Sequence, residues 1–600
     1  MKIITPPSPT HFGQHHDPTT IDFALAKNFN HSYDMYTVTA LSSDHNPVIL
    51  EIACVDTVDG PSFRKPTVDW VKFHHHTYHN VTHPTHMTTH AQINDAILAY
   101  NTQITAAVNA AIIHSPVKTP PSLPRSIVSL IREKNRTRKH WIRTRDPAVK
   151  TTLNHQVEII KYKIREHKNS VWSSYLEGLN TTDGSLWKAI KQITRDTSQP
   201  NVTLKARDGS LISSRQEVAE LFADSLEDQF KLNSPVTHSD ADMIRHDHSP
   251  QQPLPHVTPN DIGRIISKLT NRKAPGPDNI TPLMLKNADF KATAALTSII
   301  NACIRAQIFP DAWKTADVIL FRKKQTGGTD PKNYRPISLL PIPSKILERV
   351  IHFHLIQDVL KLKILPDSQH GFRANHSTVH QISTVTEHIL DGFSRVNATG
   401  AIFLDVSKAF DRVWHAGLIF KMVSAGFAPP LITITSSYLA NRSFRVKHSN
   451  TYSTRRSIEA GVPQGSILAP MLYNIYTHDT PQPISNRTIL AQYADDTAIL
   501  ASSISSRGVV LYLNRHLRTL EDWFSKWKIN INTKKSAAVY FSRRKPTRTN
   551  RPPIQPLLMY NTPIKWTDTA TYLGVTLDKR LTWSPHINNT IKKAKGARAR

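Results

Sequence analysis

Two apolar stretches, one ended and one interrupted by carboxylates, constrain the fold of this chain more than any other feature. Residues 401–405 run Ala-Ile-Phe-Leu-Asp, the pattern of a buried strand that ends on Asp405. Residues 489–500 form a second stretch, interrupted by Asp495 and Asp496 within the sequence Tyr-Ala-Asp-Asp. Two adjacent Asp residues in a strand cannot both face the core. We therefore expect a tight hairpin turn that brings both side chains to one edge of a sheet.

These three aspartates predict a metal-dependent nucleotidyl-transfer site. If the two strands lie side by side, Asp405, Asp495 and Asp496 come together, and carboxylates at that density need cations. Oxygen ligands favour Mg²⁺, with Mn²⁺ as a second choice. Two such ions, about 3.5–4 Å apart, would hold the attacking 3′-hydroxyl and the leaving pyrophosphate of an in-line displacement.

Charge and cysteine content narrow the class of protein. The 600 residues include 75 Lys and Arg against 46 Asp and Glu, a formal net charge of +29 that favours binding to nucleic acid. The two cysteines, Cys54 and Cys303, lie far apart in the chain, so neither a disulfide framework nor a structural zinc site is supported. Since no run of about 18 apolar residues and no apolar signal segment occurs, we expect no contact with a membrane. We expect an intracellular protein of nucleus and cytoplasm.

Changes in composition and in apolar pattern along the sequence predict several regions. They are strands and loops over 1–55, a linker over 56–125, a basic helical region over 125–235, a second linker over 235–257, and alternating strand-like and helical segments over 258–540 and 541–600. Between Arg125 and Lys168 there are 13 Lys and Arg against 4 Asp and Glu. One helical face is apolar there, formed by Leu153, Val157, Ile160 and Ile164. Its basic residues could bind phosphates or simply be solvated, and both interpretations stay open.

A histidine cluster within 56–125 raises the question of a second metal site. Its members are His74, His75, His76, His79, His83, His86 and His90. Their spacing matches no ligand pattern, and neither Cys nor paired carboxylates accompany them. A solvated linker with short helices is the favoured interpretation.

From about 258 to 590, the order of motifs resembles that of reverse transcriptases from non-LTR (LINE-type, jockey- or CR1-like) retrotransposons. Residues 403–413, Phe-Leu-Asp-Val-Ser-Lys-Ala-Phe-Asp-Arg-Val, resemble their first palm motif, and Tyr-Ala-Asp-Asp at 493–496 resembles the second carboxylate motif. Further motifs of the same kind lie at 273–278, 333–340, 369–373, 460–470, 532–536 and 572–575. The resemblance implies an α/β (α+β) right-hand polymerase, with fingers and palm over 258–540 and the palm end and a partial, truncated thumb over 541–600.

The same resemblance implies roles for single residues. Asp405, Asp495 and Asp496 would hold two Mg²⁺ ions. Phe410 would block a ribose 2′-hydroxyl, although it could also be a core residue. Lys535 would protonate or neutralise the leaving pyrophosphate, or else be a solvated charge at a strand end. The implied contacts to nucleotide, phosphate or template are made by Gln464, Gly465, Arg335 and Arg373.

The N-terminal residues resemble the tail of the apurinic-like endonuclease domain that precedes the polymerase in LINE elements. The similarity lies in 19–23, with Asp22, and in 41–48, with Asp44 and His45 as the final Asp-His pair. The metal-binding Glu and the Asp-x-Asn pair of that domain would lie upstream of this tail. We therefore expect a truncated β-sandwich remnant over 1–55 without endonuclease activity, in a fragment of such an element.

The function implied is that of an RNA-directed DNA polymerase that extends a DNA 3′-end by copying RNA, with RNA template, DNA primer or target and dNTPs as partners. Group II intron proteins and telomerase are disfavoured by the endonuclease tail, and an RNA-templated RNA polymerase is disfavoured by Phe410. An alternative of another class is a catalytically silent remnant that still binds nucleic acid. The intact set of Asp405, Asp495 and Asp496 opposes that alternative.

Overall fold

The chain forms two compact units. A computed structural model describes residues 2–12, 17–26, 32–38, 45–52, 65–115, 123–180, 185–193, 203–206, 208–235, 237, 253–323, 329–395, 397–449, 451–543 and 555–598. Unit 1 comprises Met1–Thr67 and Ile113–Gln199, and unit 2 comprises Val68–Ile112 and Pro200–Arg600. The predicted linker over 235–257 lies largely outside the described residues.

Helices and strands are both frequent, which confirms a mixed α/β protein. The helices of the described residues are α1 (Trp70–Asn80), α2 (His90–Ala110), α3 (Arg125–Thr144), α4 (Pro147–Glu177), α5 (Ser185–Ile193), α6 (Arg215–Gln229), α7 (Pro259–Ser267), α8 (Pro282–Asn287), α9 (Phe290–Ala306), α10 (Ile342–Leu362), α11 (Thr378–Ser394), α12 (His415–Ser424), α13 (Pro429–Leu439), α14 (Ala469–Thr477), α15 (Ser506–Lys526) and α16 (Ser584–Arg598). Three short 3₁₀ segments, Asp311–Trp313, Pro331–Asn333 and Phe410–Arg412, also occur.

The strands of the described residues are β1 (Lys2–Ile4), β2 (Ala24–Ala26), β3 (Tyr33–Thr37), β4 (Val48–Ile52), β5 (Lys65–Val68), β6 (Ile112–Ser115), β7 (Leu204–Lys205), β8 (Leu211–Ile212), β9 (Thr315–Arg322), β10 (Tyr334–Leu339), β11 (Ala398–Asp405), β12 (Ser443–His448), β13 (Thr451–Tyr452), β14 (Arg456–Ser457), β15 (Thr488–Tyr493), β16 (Asp496–Ser503), β17 (Ala537–Phe541), β18 (Leu557–Met559), β19 (Thr562–Thr567), β20 (Thr569–Tyr572) and β21 (Val575–Asp578).

A six-stranded sheet forms the centre of unit 2. Its strand order is β15-β16-β11-β17-β19-β18, and β11 lies between two antiparallel neighbours. Because side chains alternate along a strand, Ala401 and Phe403 pack with the apolar face of α11, whereas Ile402 and Leu404 join the core that includes α15. Both faces are therefore covered, and this explains why the sequence of β11 is apolar at nearly every position.

A second sheet, of five strands, carries α6 on one face. Its strands run in the order β10-β9-β12-β13, with β14 paired to β12. Val218, Phe222, Leu226 and Phe230, at intervals of four residues, are buried against this sheet. Arg456 of β14 also pairs with the acidic edge of α6, formed by Glu220, Asp224 and Glu227. The basic helical region predicted over 125–235 is thus divided, since its last part belongs to unit 2.

The structure also differs from the linker predicted over 56–125. Within those residues, α1 and α2 are regular helices that pack in the main core of unit 2, where Ile93, Ile97, Tyr100 and Ile104 of α2 are buried. Thr89 caps α2 through a reciprocal pair of hydrogen bonds with Gln92. The high His and Thr content concealed an apolar face with helical spacing. Thr258 caps α7 in the same way, through a reciprocal pair of hydrogen bonds with Asp261.

The described residues of unit 1 include strand pairs and a helical hairpin. The strands pair as β1 with β2 and β3 with β4, and α3 and α4 are antiparallel neighbours joined by Arg145 and Asp146. Leu153 and Ile160 of α4 are buried, which confirms the predicted apolar helical face.

Candidate active site

The predicted hairpin turn lies between β15 and β16. Tyr493 and Asp496 face each other across the hairpin, so Ala494 and Asp495 form the turn. On its other side β16 pairs with β11, and this pairing sets Asp405 directly opposite Asp496. Cα atoms of such opposed residues lie about 4.5–5.5 Å apart in antiparallel sheets. The fold therefore brings the three predicted aspartates to one end of two neighbouring strands.

The buried side chain of Gln369 holds this turn. Its Oε1 accepts hydrogen bonds from the backbone N–H groups of Ala494, at 2.9 Å, and Gly371, at 2.8 Å. Ala494 has a φ of 56°, a left-handed conformation that is unfavourable for a residue with a Cβ. Gly371 approaches so closely that a Cβ at this position would lie 2.2 Å from the Ala494 nitrogen. The turn conformation thus depends on a neighbouring loop.

Burial and mutual repulsion disfavour negative charge on the turn. The pKa of Asp495 is raised by burial and by the nearby carboxylate of Asp405, while Arg335 acts in the opposite direction. The pKa of Asp496 is raised to about 6 by loss of water, then by Asp495 and Asp405. A bound cation would relieve this repulsion.

Oxygen donors at this position suit hard divalent cations. Asp405, Asp495 and Asp496 are the residues that fit such ions. In the described part of the chain, however, no three or more His, Cys, Asp or Glu side chains already converge as a ligand group.

A cavity of about 850 Å³ opens in front of the aspartates, and Asp405 and Asp495 both line it. Its walls are rich in cations, namely Lys323, Lys332, Arg335, Lys408, Arg412 and Lys535. The pKa of Lys408 is lowered to about 8 by burial and then by repulsion from Arg412. Such a concentration of positive charge beside carboxylates suits a polyanionic ligand that also carries metal ions.

Phe410 lies in the wall of this cavity, five residues after Asp405. Its ring stacks on Tyr473, with centroids 4.8 Å apart, and meets Phe372 edge-on at 6.0 Å. These two contacts fix the orientation of the ring while one part of it stays accessible from the cavity. Phe410 therefore packs against other aromatic side chains and also lines the cavity.

Gln464 and Gly465 form part of the same wall. The carbonyl oxygen of Gln464 accepts a hydrogen bond from Ser338 N of β10, at 2.8 Å. Gly465 has a φ of 121°, and a Cβ there would lie 2.6 Å from Ser338 O. Glycine is required here because the loop runs against β10 in a conformation that other residues rarely adopt.

Lys535 lines the cavity from the segment before β17. That segment is tied to the end of β11, because Asp405 N donates to Ser536 Oγ at 3.1 Å and Asn532 N donates to Asp405 O at 2.8 Å. The motif at 532–536 therefore supports the backbone of Asp405 and also contributes a cation to the cavity.

The two predicted arginines have different positions. Arg335 lines the cavity and lies near enough to Asp495 to affect its pKa. The Arg373 guanidinium instead donates to Pro366 O at 3.2 Å and lies 3.9 Å from Asp367. From the motif at 369–373, it is Phe372 that lines the cavity.

Sequence reasoning missed several residues of this site. Asp411 is buried beside the cavity and accepts hydrogen bonds from the side chains of Gln464 and Gln229. Gln369 lies in the motif at 369–373, but only Arg373 of that motif is predicted to contact a ligand. Gln229 carried no signal, since it lies 182 residues before Asp411.

The endonuclease-like residues belong to unit 1. His45 Nδ1 lies 2.9 Å from Asp22 Oδ2, so the carboxylate fixes the orientation of the imidazole ring. Asp44 lies outside the described residues. The structure thus brings two of the three predicted residues together.

The histidines between 74 and 90 contact several different parts of the chain. His83 contacts Ser298, His90 lies near Asp311, and His74 lies near Asp289. His75 and His79 contact each other along α1. This arrangement gives no support to a metal site there.

Among the described helices, none is both long enough and apolar enough to cross a lipid bilayer.

A solved structure of apo telomerase from Candida tropicalis, truncated from its C-terminal domain, has a TM-score of 0.32 and 14% identity, covering 46% of this chain and 56% of that chain. A TM-score this low supports no inference.

Sequence comparison is more informative. Residues 321–577 match the family described as reverse transcriptase (RNA-dependent DNA polymerase). The chain is 33% identical to a probable RNA-directed DNA polymerase from transposon BS of Drosophila melanogaster, over 99% of this chain and 67% of that protein. It is 30% identical to the RNA-directed DNA polymerase from mobile element jockey of the same species, over 95% of this chain and 64% of that protein. It spans about two thirds of the length of these curated relatives. The chain therefore belongs to the reverse transcriptase family of RNA-directed DNA polymerases from jockey-like, non-LTR mobile elements.

Proposed function

We propose that this chain extends the 3′-end of a DNA strand by copying an RNA template, with dNTPs as substrates. One observation carries the proposal: pairing of β11 with β16 sets Asp405 opposite Asp496, next to Asp495, at a cavity lined with cations. The family of the chain supports the same reaction. The expected location in nucleus and cytoplasm follows from this function and stays a prediction.

In this proposal the six-stranded sheet is the palm of a right-hand polymerase and the sheet containing β9 and β10 belongs to the fingers. α16 begins the thumb. The template and primer would reach the aspartates across the cavity between the two sheets, both of which belong to unit 2. The cations of its wall would contact the sugar-phosphate backbone and the triphosphate.

The chemistry is an in-line displacement at the α-phosphorus of the dNTP. Asp405, Asp495 and Asp496 would hold two divalent ions, Mg²⁺ by preference, which when bound activate the 3′-hydroxyl and neutralise charge on the phosphates. The 3′-hydroxyl gives up its proton to solvent water, and its oxygen forms a bond to phosphorus as the bond to pyrophosphate breaks. Lys535 and Arg335, which both line the cavity, would neutralise the departing pyrophosphate.

Primer extension on an RNA template tests the proposal. We expect dNTP incorporation by the unchanged chain, and a fall of roughly 100-fold or more for Asp495→Asn, because loss of a metal ligand removes several kcal/mol of transition-state stabilisation. Asp522→Asn, an exposed position on α15, serves as the control and should retain full activity. Salt-sensitive binding of nucleic acid without incorporation would instead indicate a silent binding protein.

Sugar selection tests the role of Phe410 separately. Replacing this ring by Ala should raise the ratio of ribonucleotide to deoxyribonucleotide incorporation by roughly tenfold or more, since a steric block to one hydroxyl is removed. Phe353→Ala, at a side chain of α10 that is 60% exposed, is the matched control. An unchanged ratio for Phe410→Ala would show that the ring is only a core residue.

A further inference from the structure

Asp411 is a buried carboxylate next to the cavity, and the roles proposed so far leave it unexplained. It is 3% exposed, and both of its oxygens accept hydrogen bonds from amides. Gln464 Nε2 donates to Oδ1 at 2.8 Å, and Gln229 Nε2 donates to Oδ2 at 2.6 Å. Lys408 and Arg412 lie near enough to favour its charged form, although burial raises its pKa to about 6. A buried carboxylate is costly unless its bonds serve the fold or the site.

These bonds determine how the two amides are oriented. An ionised carboxylate can only accept hydrogen bonds, so each Gln must turn its NH₂ group toward Asp411. The side-chain oxygen Oε1 of Gln464 and the second N–H of its amide are then left for a ligand in the cavity that this residue lines. Without Asp411 the amide of Gln464 could rotate by half a turn and exchange its donor and acceptor.

Gln229 brings α6 into the same arrangement. It is the last residue of α6, which is anchored on the five-stranded sheet by its apolar face and by Arg456. The next residue, Phe230, accepts backbone hydrogen bonds from Glu459 at 3.2 Å and Ala460 at 2.8 Å. The end of α6 therefore contacts the loop of Gln464 twice, once through the backbone and once through Asp411.

The loop is also bonded to the segment of Asp411 itself. Gly461 N donates to Val413 O at 2.9 Å, and Val462 N donates to Phe410 O at 2.7 Å. Hydrogen bonds thus connect Phe410, Asp411 and Gln464. Phe410, which is proposed to exclude the ribose 2′-hydroxyl, and Gln464, which is proposed to contact the nucleotide, are held by the same set of bonds.

We propose that Asp411 is a positioning residue for the incoming nucleotide: its carboxylate, held from the other side by Gln229 of α6, fixes the amide of Gln464 in the orientation that binds the dNTP. The inference rests on the proposed polymerase function. It makes α6, which lies outside the residues that match the family, a part of nucleotide selection.

The test is steady-state incorporation of a single dNTP by the full chain on an RNA template with a DNA primer. In Asp411→Asn the new NH₂ group opposes the NH₂ of one glutamine, so one amide has to turn. We expect KM for the dNTP to rise about tenfold, the effect of losing a hydrogen bond to a charged group, with kcat changed less than threefold. Gln229→Leu should raise KM by a smaller factor, and the double change should raise it less than the product of the two.

The matched control is Asp317→Asn. Asp317 is also buried, at 4% exposed, and pairs with Arg445 on the five-stranded sheet. We expect this control to lower the melting temperature while leaving KM within twofold. Equal KM changes for Asp411→Asn and Asp317→Asn, or a change in kcat alone, would overturn the inference and leave Asp411 a structural residue.

A second measurement applies if the chain extends no primer. Such a result would refute the proposed function, while amide hydrogen exchange over residues 460–466 would still examine the support of the loop. We expect exchange there to accelerate at least tenfold in Asp411→Asn but not in Asp317→Asn. Unchanged exchange in Asp411→Asn would overturn the inference independently of activity.

Discussion

Replacing Gln369 by Leu would disturb the carboxylate turn without touching any aspartate. Leu has nearly the shape of Gln but offers no acceptor, so the N–H groups of Ala494 and Gly371 would lose their shared partner. Gln369 is only 2% exposed, and water cannot easily take its place. The change therefore isolates the hydrogen bonds that hold the turn.

The magnitude follows from two buried donors. Each unsatisfied N–H costs about 1–3 kcal/mol, so Gln369→Leu should destabilise unit 2 by about 2–6 kcal/mol. Ala494 also occupies a left-handed conformation that costs about 1–2 kcal/mol. Once the Ala494 N–H is released, the free energy of the turn falls when its backbone relaxes, and Asp495 moves with the turn. A shift near 1 Å lowers the rate about 100-fold.

The assay combines thermal unfolding with single-nucleotide incorporation. Gln381→Leu is the matched control, because Gln381 is 1% exposed and its Nε2 donates to Tyr572 Oη at 3.2 Å, on α11 rather than at the turn. We expect it to cost about 0.5–1.5 kcal/mol and to leave kcat within twofold. If Gln369→Leu unfolds at a lower temperature but keeps full kcat, the turn is held by other contacts and the reasoning is refuted.

Three further predictions, on four substitutions, have defined outcomes. Burial raises the pKa of Asp278 to about 7, whereas in the unfolded chain it titrates near 4, so its ionisation lowers stability as the pH rises through this interval. Asp278→Asn should therefore raise the melting temperature at pH 8 and lose this advantage toward pH 4; an equal gain at both would contradict the assignment. Gly465→Ala should lower dNTP incorporation roughly tenfold or more, because its Cβ would meet Ser338 O, and normal kinetics would show that the loop can shift. Arg335→Gln should raise KM for the dNTP about tenfold, whereas Arg373→Gln should leave it unchanged. A larger rise in KM for Arg373→Gln than for Arg335→Gln would disprove this assignment.

Local patterns predicted the centre of the site. The apolar run before Asp405 and the paired aspartates at 495–496 specify two strands and a turn by period and burial alone, and the structure confirms both. Roles of single residues were less predictable. Arg373 belongs to a matching motif, but whether its guanidinium faces the cavity or Pro366 depends on packing that the motif does not encode.

Long-range contacts and unusual composition explain the remaining differences. The contact between Gln229 and Asp411 joins residues far apart in sequence, and no local pattern on α6 indicates it. In α2 the helical spacing of Ile93, Ile97 and Ile104 was present in the sequence, but the surrounding His and Thr residues suggested a solvated linker. Periodicity was the better guide than composition there.

The place of α1 and α2 in the core has a consequence for the order of events during synthesis. Their apolar faces pack with α9, yet the chain first returns to unit 1 for residues 113–199 and reaches Phe290 only 180 residues after Ala110. At roughly 5–20 residues per second, α2 waits about 10–40 s for its partner. During that interval its apolar face is a natural substrate for chaperones, so the yield of folded protein should depend on translation rate in the stretch between α2 and α9.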